Sequence, residues 1–363
     1  MKHILVLLPN DTLGGAELYL KNIAIFFLKN GYKVDVVFLK QKSSNGWSDL
    51  ENKQHINLTY LKARSEKKGF FLFLFNLSNL KNYEYVFTSH VHLTSLFGFL
   101  AKLKLVSSTY FVARESTSIF LRFKGLKLIL FKILYRLGYS KVDLLICQTS
   151  LMKQQLDISL PKLFKKLKIV VLPNPISLPS EVLINEKYVL KKDLNFIVSA
   201  GRLIPEKGFD ILIKSFSEIN KIYEDLHLII LGDGPCEKEL RALTIDLNVE
   251  SKVFFTGFVN NVYKYFKSAK ACIVSSRIEG FPNVLLQMMS VNTNVISTSC
   301  AGDIDKIKGL YISKVNDVDD LKHNILNCLN SNNSKNKRIF SQELEKRSIE
   351  NFVGLINSYL VER

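Results

Sequence analysis

The chain has 363 residues, 47% of them apolar, which is too many for one ordinary core and enough for two. No uncharged apolar stretch reaches the roughly 18 residues that a membrane-spanning helix needs. Five scattered cysteines, none in a Cys-x-x-Cys spacing and one left over from any full pairing, exclude a disulfide framework and point to a reducing cytosol.

The formal charge of +17 is unevenly spread. Residues 1–180 hold 26 Lys and Arg against 10 Asp and Glu, whereas residues 181–363 hold 24 against 23. A basic half implies an anionic partner: a membrane surface, a lipid pyrophosphate or nucleic acid. The plain alternative is a Lys-rich composition of the kind an AT-rich bacterial genome produces, although that bias should act on both halves alike. Nucleic acid ranks last, because the basic residues lack an aromatic stacking array or a known module.

In chain order, Lys2–Leu8 reads as a buried strand, and its Ile4–Leu8 run is too short for a signal peptide. Leu13-Gly14-Gly15-Ala16-Glu17 then opens an amphipathic helix over 16–29, with Gly31 closing it. Val34–Leu39, Tyr85–Thr88, Ser108–Val112, Leu144–Gln148 and Ile169–Leu172 are further strands, and Pro173-Asn174-Pro175 begins a linker at 176–192. The second half repeats the pattern. Strands are expected at Asn195–Ala200, Leu226–Leu231, Val253–Gly257, Ala271–Ser275 and Val295–Ser299, with helices at Gly208–Ile219, 237–247 and Asn261–Ser268. Residues 331–337 read as a polar loop and Ser348–Tyr359 as a terminal amphipathic helix. Strands alternating with helices predict an α/β chain with parallel sheets covered by helices on both faces.

Two turns carry the chemistry. Glu279-Gly280-Phe281-Pro282-Asn283-Val284-Leu285-Leu286-Gln287 places an acidic residue before a Gly-Phe-Pro turn and an apolar helical run. Such a turn aims backbone N–H groups at one spot beside the positive end of a helix dipole. That suits a phosphorylated, hydroxyl-rich ligand. Upstream, Ser199-Ala200-Gly201-Arg202-Leu203-Ile204-Pro205-Glu206-Lys207-Gly208 is a basic turn after an apolar run. Fixed cations at a strand end stabilise the charge that grows on a departing diphosphate, at roughly 1.5–3 kcal/mol per charge-assisted hydrogen bond.

Together these turns resemble those of family 4 of the retaining glycosyltransferases, loosely over the whole chain and closely over 195–305. The resemblance implies the GT-B fold, two Rossmann-like domains facing a cleft. It implies a basic acceptor-binding domain over 1–176, a nucleotide-sugar-binding domain over 177–345, and a terminal helix over 346–363 that crosses back to the first domain. Arg202 and Lys207 match the family's diphosphate-binding Arg and Lys, and Glu279 its contact to the transferred sugar. Gly201, Gly232, Val259 and the backbone of Phe281, Asn283 and Val284 fall on the donor. Gly14 and Gly15 match the first-domain loop beside the donor phosphates and acceptor. Gln287 replaces the family's second Glu, which accepts from ribose hydroxyls, so weaker nucleotide binding or an altered nucleotide preference is expected. Eight residues separate it from Glu279, about two helical turns, which lets both side chains face one groove.

Ser89-His90-Val91-His92 follows a strand end, where family members often carry His-x-His; His90 is a candidate for the donor sugar or the acceptor proton and His92 for the acceptor. A helix cap or core position is the structural alternative for both. Arg114, in Arg114-Glu115-Ser116, resembles an acceptor or phosphate position. Asp303-Ile304-Asp305 has the spelling of a metal site, but the resembled family does not rely on one, and neither metal nor cofactor is expected. Ile119–Leu137 mixes large apolar residues with Arg122, Lys124, Lys127, Lys132 and Arg136 and has no acid. It reads either as a helix lying in a membrane interface or as one packed on the sheet with a solvated basic face. Gly69–Leu77 is a second apolar candidate.

The expected protein is thus a retaining, metal-independent hexosyltransferase, cytoplasmic and peripheral on the inner face of the cytoplasmic membrane. Its donor would be a nucleotide-diphosphate sugar, UDP-linked, and its acceptor a lipid-pyrophosphate-linked glycan of bacterial O-antigen or capsule assembly. A non-catalytic glycosyltransferase-like subunit and a nucleotide-sugar epimerase of the same fold are the alternatives.

Overall fold

Short apolar runs closed by turn residues become parallel strands here, and the amphipathic stretches between them become crossover helices. The computed structural model describes residues 1–42, 46–75, 80, 82–176 and 194–362. They divide into two units, Met1–Pro175 with Ser348–Arg363, and Ile176–Arg347. The expected linker from residue 177 onward, and residues 76 and 77 of the apolar stretch at Gly69–Leu77, lie outside the described residues.

The first unit contains β1 (His3–Asn10), α1 (Gly15–Lys29), β2 (Lys33–Lys40), β3 (Ile56–Tyr60), α2 (Glu66–Phe75), β4 (Tyr83–Thr88) and α3 (Val91–Lys102). There follow β5 (Ser108–Arg114), α4 (Ile119–Arg122), α5 (Gly125–Gly138), β6 (Leu144–Cys147), α6 (Ser150–Ser159), α7 (Pro161–Phe164) and β7 (Ile169–Val171). Among the described residues the strands form one sheet ordered β3-β2-β1-β4-β5-β6-β7, parallel throughout. Alternation along β1 sends Leu5 and Leu7 into one apolar layer and Ile4, Val6 and Leu8 into the other. That explains why its sequence is an unbroken apolar run: both faces are covered.

The second unit contains β8 (Phe196–Ala200), α8 (Phe209–Asn220), β9 (His227–Leu231), α9 (Glu237–Asp246), β10 (Val253–Phe255), α10 (Tyr263–Ser268) and β11 (Ala271–Val274). It continues with α11 (Asn283–Met289), β12 (Val295–Thr298), β13 (Tyr311–Ser313), α12 (Val318–Leu329) and α13 (Asn336–Glu345). Its strand order is β10-β9-β8-β11-β12-β13, again parallel. On α8, Phe209, Leu212, Ile213, Phe216 and Ile219 are buried at helical spacing, each worth about 1.5–3 kcal/mol on burial. In each unit the strand order reverses once, between β1 and β4 and between β8 and β11. Loops leaving the carboxyl ends of such neighbours diverge, and ligands of open α/β sheets sit there.

The last helix, α14 (Ile349–Val361), is capped by Ser348, whose Oγ accepts the Asn351 N–H at 3.1 Å. Its Phe352, Val353, Ile356 and Leu360 complete the second apolar layer of the first unit.

Two expectations need correction. Ile119–Leu137 is not one helix: Phe123 and Lys124 are extended and Gly125 has φ +59, so the chain breaks between α4 and α5. Glycine is the residue that accepts such a backbone at no steric cost. The polar loop at 331–337 ends early, because α13 already begins at Asn336.

Candidate functional site

After β8 the chain runs through Arg202 into a 3₁₀ turn at Pro205–Lys207, then Gly208, from which α8 starts. Gly208 has φ +63, and a Cβ there would lie 2.2 Å from the Ser275 carbonyl oxygen. Only glycine lets these backbones meet. The approach allows Ser275 Oγ to donate to the Lys207 carbonyl at 3.0 Å, and the Arg277 N–H to donate to the Glu206 carbonyl at 2.7 Å. Arg277 also grips Asp210 with two bonds of 2.8 and 2.6 Å. Although burial raises the Asp210 carboxyl, the guanidinium draws it below its ordinary value. The loops after β8 and β11 are therefore fastened to each other, and Lys207 Nζ pairs with Glu279 Oε1. Ser276 Oγ donates to the same carboxylate oxygen at 2.9 Å. The two paired side chains are 21% and 17% exposed, so both still reach solvent. Arg202 is exposed on the same loop, and its guanidinium has no internal partner among the described residues. Ser276 and the Arg277–Asp210 clamp escape a motif reading, since their only sequence signal is polarity just ahead of Glu279.

The other donor candidates are placed as follows. The Gly201 N–H donates to the Leu231 carbonyl, tying the loop after β8 to the end of β9, and the Gly232 N–H donates to the Gly257 carbonyl, tying the loop after β9 to that after β10. Val259 is half-buried against the core. Phe281 is buried beneath the Arg347 guanidinium, 4.9 Å from its ring centre. Asn283 and Val284 open α11, whose N-cap, Pro282, supplies no side-chain cap. Because α11 starts only at Asn283, Glu279 and Gln287 do not share a helix, which corrects the two-turn expectation. Gln287 Nε2 donates to the Tyr263 hydroxyl at 3.4 Å. Asp303 pairs with Lys306 at 2.6 Å, and no cluster of three His, Cys, Asp or Glu suited to a metal occurs among the described residues.

In the first unit, β4 stops at Thr88, so His90 and His92 do not continue a strand: His90 is the N-cap of α3 and His92 lies in its first turn. His90 Nε2 meets Glu17 Oε1 at 3.1 Å. Glu17 sits on the first turn of α1 with its carboxylate folded back, Oε2 lying 2.6 Å from where a Gly14 Cβ would be. Burial pushes this carboxyl up. The His90 hydrogen bond and charge, with the backbone N–H groups of Glu17 and Gly14, more than reverse that, and its pKa is lowered. At Gly14 and Gly15, the glycines read from the sequence as lying beside a ligand phosphate, the Glu17 carboxylate lies over the helix start. His92 is pushed down to about 4, first by burial and then by His90, so it is neutral at pH 7. With Leu39, Glu66, Phe70 and Phe71 it lines a cavity of about 440 Å³.

Arg114, read from the sequence as an acceptor or phosphate position, is held by the protein's own side chains. It is 3% exposed, bonds to Ser89 Oγ at 3.0 Å and to Asn174 Oδ1, and stacks 4.3 Å over the Tyr19 ring. Burial lowers it to about 10, still charged at neutral pH. Next to it, Glu115 is buried among the hydroxyls of Tyr135 (2.6 Å) and Tyr139 (3.2 Å). Burial raises its carboxyl to about 7, against the lowering effect of those hydroxyls and Arg114. An acid whose folded pKa lies above its unfolded value of 4.5 loses stability as pH rises between the two. Unfolding free energy is therefore expected to fall by up to about 1.4 kcal/mol per pH unit from this group across that window. Urea melts of the natural chain and Glu115→Gln at pH 5 and 8 check this; an unchanged slope in the variant would assign the pH dependence elsewhere.

Arg122, Lys124 and Lys127 are all exposed. Around them Leu121, Leu126, Ile129, Leu130, Ile133 and Leu137 are exposed too, Leu126 by 86%. No helix among the described residues is long and apolar enough to cross a membrane.

Comparison with known proteins finds a family match over the second half of the chain. The model of the glycosyl transferases group 1 family matches residues 182–347. An uncharacterized glycosyltransferase of Methanocaldococcus jannaschii is 34% identical over 172 residues, 46% of this chain and 42% of the relative. A Campylobacter jejuni protein, N-acetylgalactosamine-N,N'-diacetylbacillosaminyl-diphospho-undecaprenol 4-alpha-N-acetylgalactosaminyltransferase, is 40% identical over 103 residues, 28% of this chain and 27% of the relative. The chain thus spans less than half the length of these curated relatives. Over the full length of both chains, the structure of Anabaena Alr3699/HepE in complex with UDP and glucose superposes with a TM-score of 0.79 at 16% identity. Residues 182–347 are a glycosyl transferases group 1 domain, and the two parallel, helix-covered sheets give the chain the GT-B fold.

Proposed function

We propose that the protein moves a hexose or N-acetylhexosamine from a nucleotide-diphosphate sugar, UDP-linked, to a lipid-pyrophosphate-linked glycan, with retention of anomeric configuration. The observation that carries this reading is the Lys207–Glu279 pair, with Arg202 on the same loop, where the strand order of the second unit reverses. As the sugar leaves, negative charge grows on the diphosphate. Arg202 and Lys207 oppose it from fixed positions, which is worth most where water is scarce. Glu279 accepts from sugar hydroxyls and keeps the ammonium in place until a phosphate competes for it. The amides of Phe281, Asn283 and Val284 flank sugar and phosphate. The acceptor hydroxyl attacks the face from which the diphosphate departs, and the departing phosphate takes its proton. Two cations fill the role a metal would otherwise have.

The basic first unit and the apolar, basic surface of α4 and α5 support an acceptor presented at an anionic membrane surface, the inner face of the cytoplasmic membrane. The relative named for a diphospho-undecaprenol acceptor supports the same acceptor class, and the reading places the reaction in surface-glycan assembly such as O-antigen or capsule. The test is incubation with a panel of UDP- and GDP-sugars and a synthetic prenyl-pyrophosphate glycan, with the product anomer read by NMR. No transfer across the panel, or an inverted product, would end this reading.

Gln287→Glu is expected to tighten UDP binding about fivefold, since a carboxylate's hydrogen bond exceeds a neutral one by about 1 kcal/mol. Calorimetric titration with UDP measures it; an unchanged Kd would place Gln287 outside the ribose contact.

A further inference from the structure

We propose that Glu17 is a positioning residue for His90: its carboxylate fixes the imidazole as the tautomer protonated on Nε2 and leaves Nδ1 as the accepting nitrogen for a substrate hydroxyl. This assigns Glu17 a part in the reaction proposed above, and its kinetic consequence rests on that reading. The two side chains come from the elements that follow β1 and β4, the neighbouring strands at which the first sheet reverses order. They are 12% and 17% exposed and meet at 3.1 Å. Glu17 is ionised at neutral pH because its pKa is lowered. An ionised carboxylate only accepts hydrogen bonds, so the hydrogen between the two groups belongs to Nε2. In the neutral ring the other nitrogen must then be bare.

The carboxylate is itself held. It lies over the start of α1, where the positive helix end favours an anion, and the missing Cβ of Gly14 leaves it room. His90 is anchored as the N-cap of α3. What remains is Nδ1, which is buried and has no partner among the described residues. An unmet buried acceptor costs about 1–3 kcal/mol, and a hydroxyl from a bound sugar would satisfy it. The neighbouring His92, neutral at pH 7 and 5.8 Å away ring to ring, adds no competing charge.

The experiment uses the full chain labelled with ¹⁵N-histidine at alkaline pH and without substrate, the His90 signals being assigned by comparison with His90→Gln. The natural chain should show a proton on Nε2 and a bare Nδ1. Glu17→Ala should give a mixture of tautomers, and Glu17→Gln, whose amide oxygen still accepts, should keep the original one. With donor and acceptor, Glu17→Ala should lower kcat at least tenfold with the donor KM unchanged, and Glu17→Gln should recover part of it. A role confined to capping α1 would lower the melting temperature without altering the tautomer, and an unchanged tautomer in Glu17→Ala overturns the proposal. Loss of the proposed transferase function would show as no turnover in the natural chain, and the tautomer measurement would still decide the part of Glu17.

Discussion

Alanine at Lys207 is expected to lower kcat by about 10²–10³ while leaving the melting temperature near that of the natural chain. The rate loss follows from removing one preorganised donor to a developing anion. Loss of stability is limited because Glu279, 17% exposed, still reaches water and keeps the Ser276 hydroxyl as a donor once the ammonium is gone. Arg202→Ala should cost a similar factor. Arg202→Lys should not restore the rate fully, because an ammonium cannot offer the planar fork that grips two phosphate oxygens. Glu279→Ala should raise the donor KM as well, since sugar hydroxyls are bound in the ground state too. Single-turnover kinetics with the best donor from the panel separates these effects. A Lys207→Ala enzyme within a few-fold of the natural rate would show that the diphosphate leaves without this ammonium.

Replacing Arg122, Lys124 and Lys127 together by glutamine is expected to weaken binding to anionic vesicles about 100-fold. Each cation near an anionic surface contributes about 1 kcal/mol, and 1.4 kcal/mol is a factor of ten. The three lie exposed on α4, α5 and the break between them. Lys127 Nζ also stands 4.4 Å from the Phe123 ring centre, which keeps the charge beside the exposed apolar side chains. Co-sedimentation with phosphatidylglycerol vesicles measures the effect, and added salt should weaken the natural chain's binding in the same direction. Equal binding of both proteins to anionic and to neutral phosphatidylcholine vesicles would mean that this surface faces another partner.

Much of the fold is legible because the physics behind it is local. A buried parallel strand must be apolar on both faces, and β1, β2, β8 and β9 announce themselves as short apolar runs stopped by turn residues. The strand β3 is hidden because it is an edge strand with a half-exposed face, so Asn57 and Thr59 interrupt its apolar residues. β13 is likewise an edge strand, half-buried at Tyr311 and Ile312, and its Tyr-Ile-Ser carries no apolar run to mark it. The stretch at 119–137 keeps a helical mixture of apolar and basic residues across Gly125, and periodicity cannot show that the backbone turns left-handed there.

The candidate site divides in the same way. Gly201, Arg202, Lys207, Gly208 and Glu279 are readable because a turn that must come close to another backbone, or to phosphate, demands glycine and fixed charge within a few residues. Which charges meet is not readable. Seventy-two positions separate Lys207 from Glu279, and seventy-three separate Glu17 from His90. Sequence by itself determined the alternation of strand and helix, the lopsided charge and the two turns, because each depends on neighbours within a turn or a strand. Tertiary structure decided that Arg114 is buried in a stacked, hydrogen-bonded position, that a carboxylate fills the first helix start, and that Glu279 has Lys207 and Ser276 as partners. Side-chain burial and pairing are set by strands that the parallel crossover brings together from distant parts of the chain, and no local pattern encodes that distance.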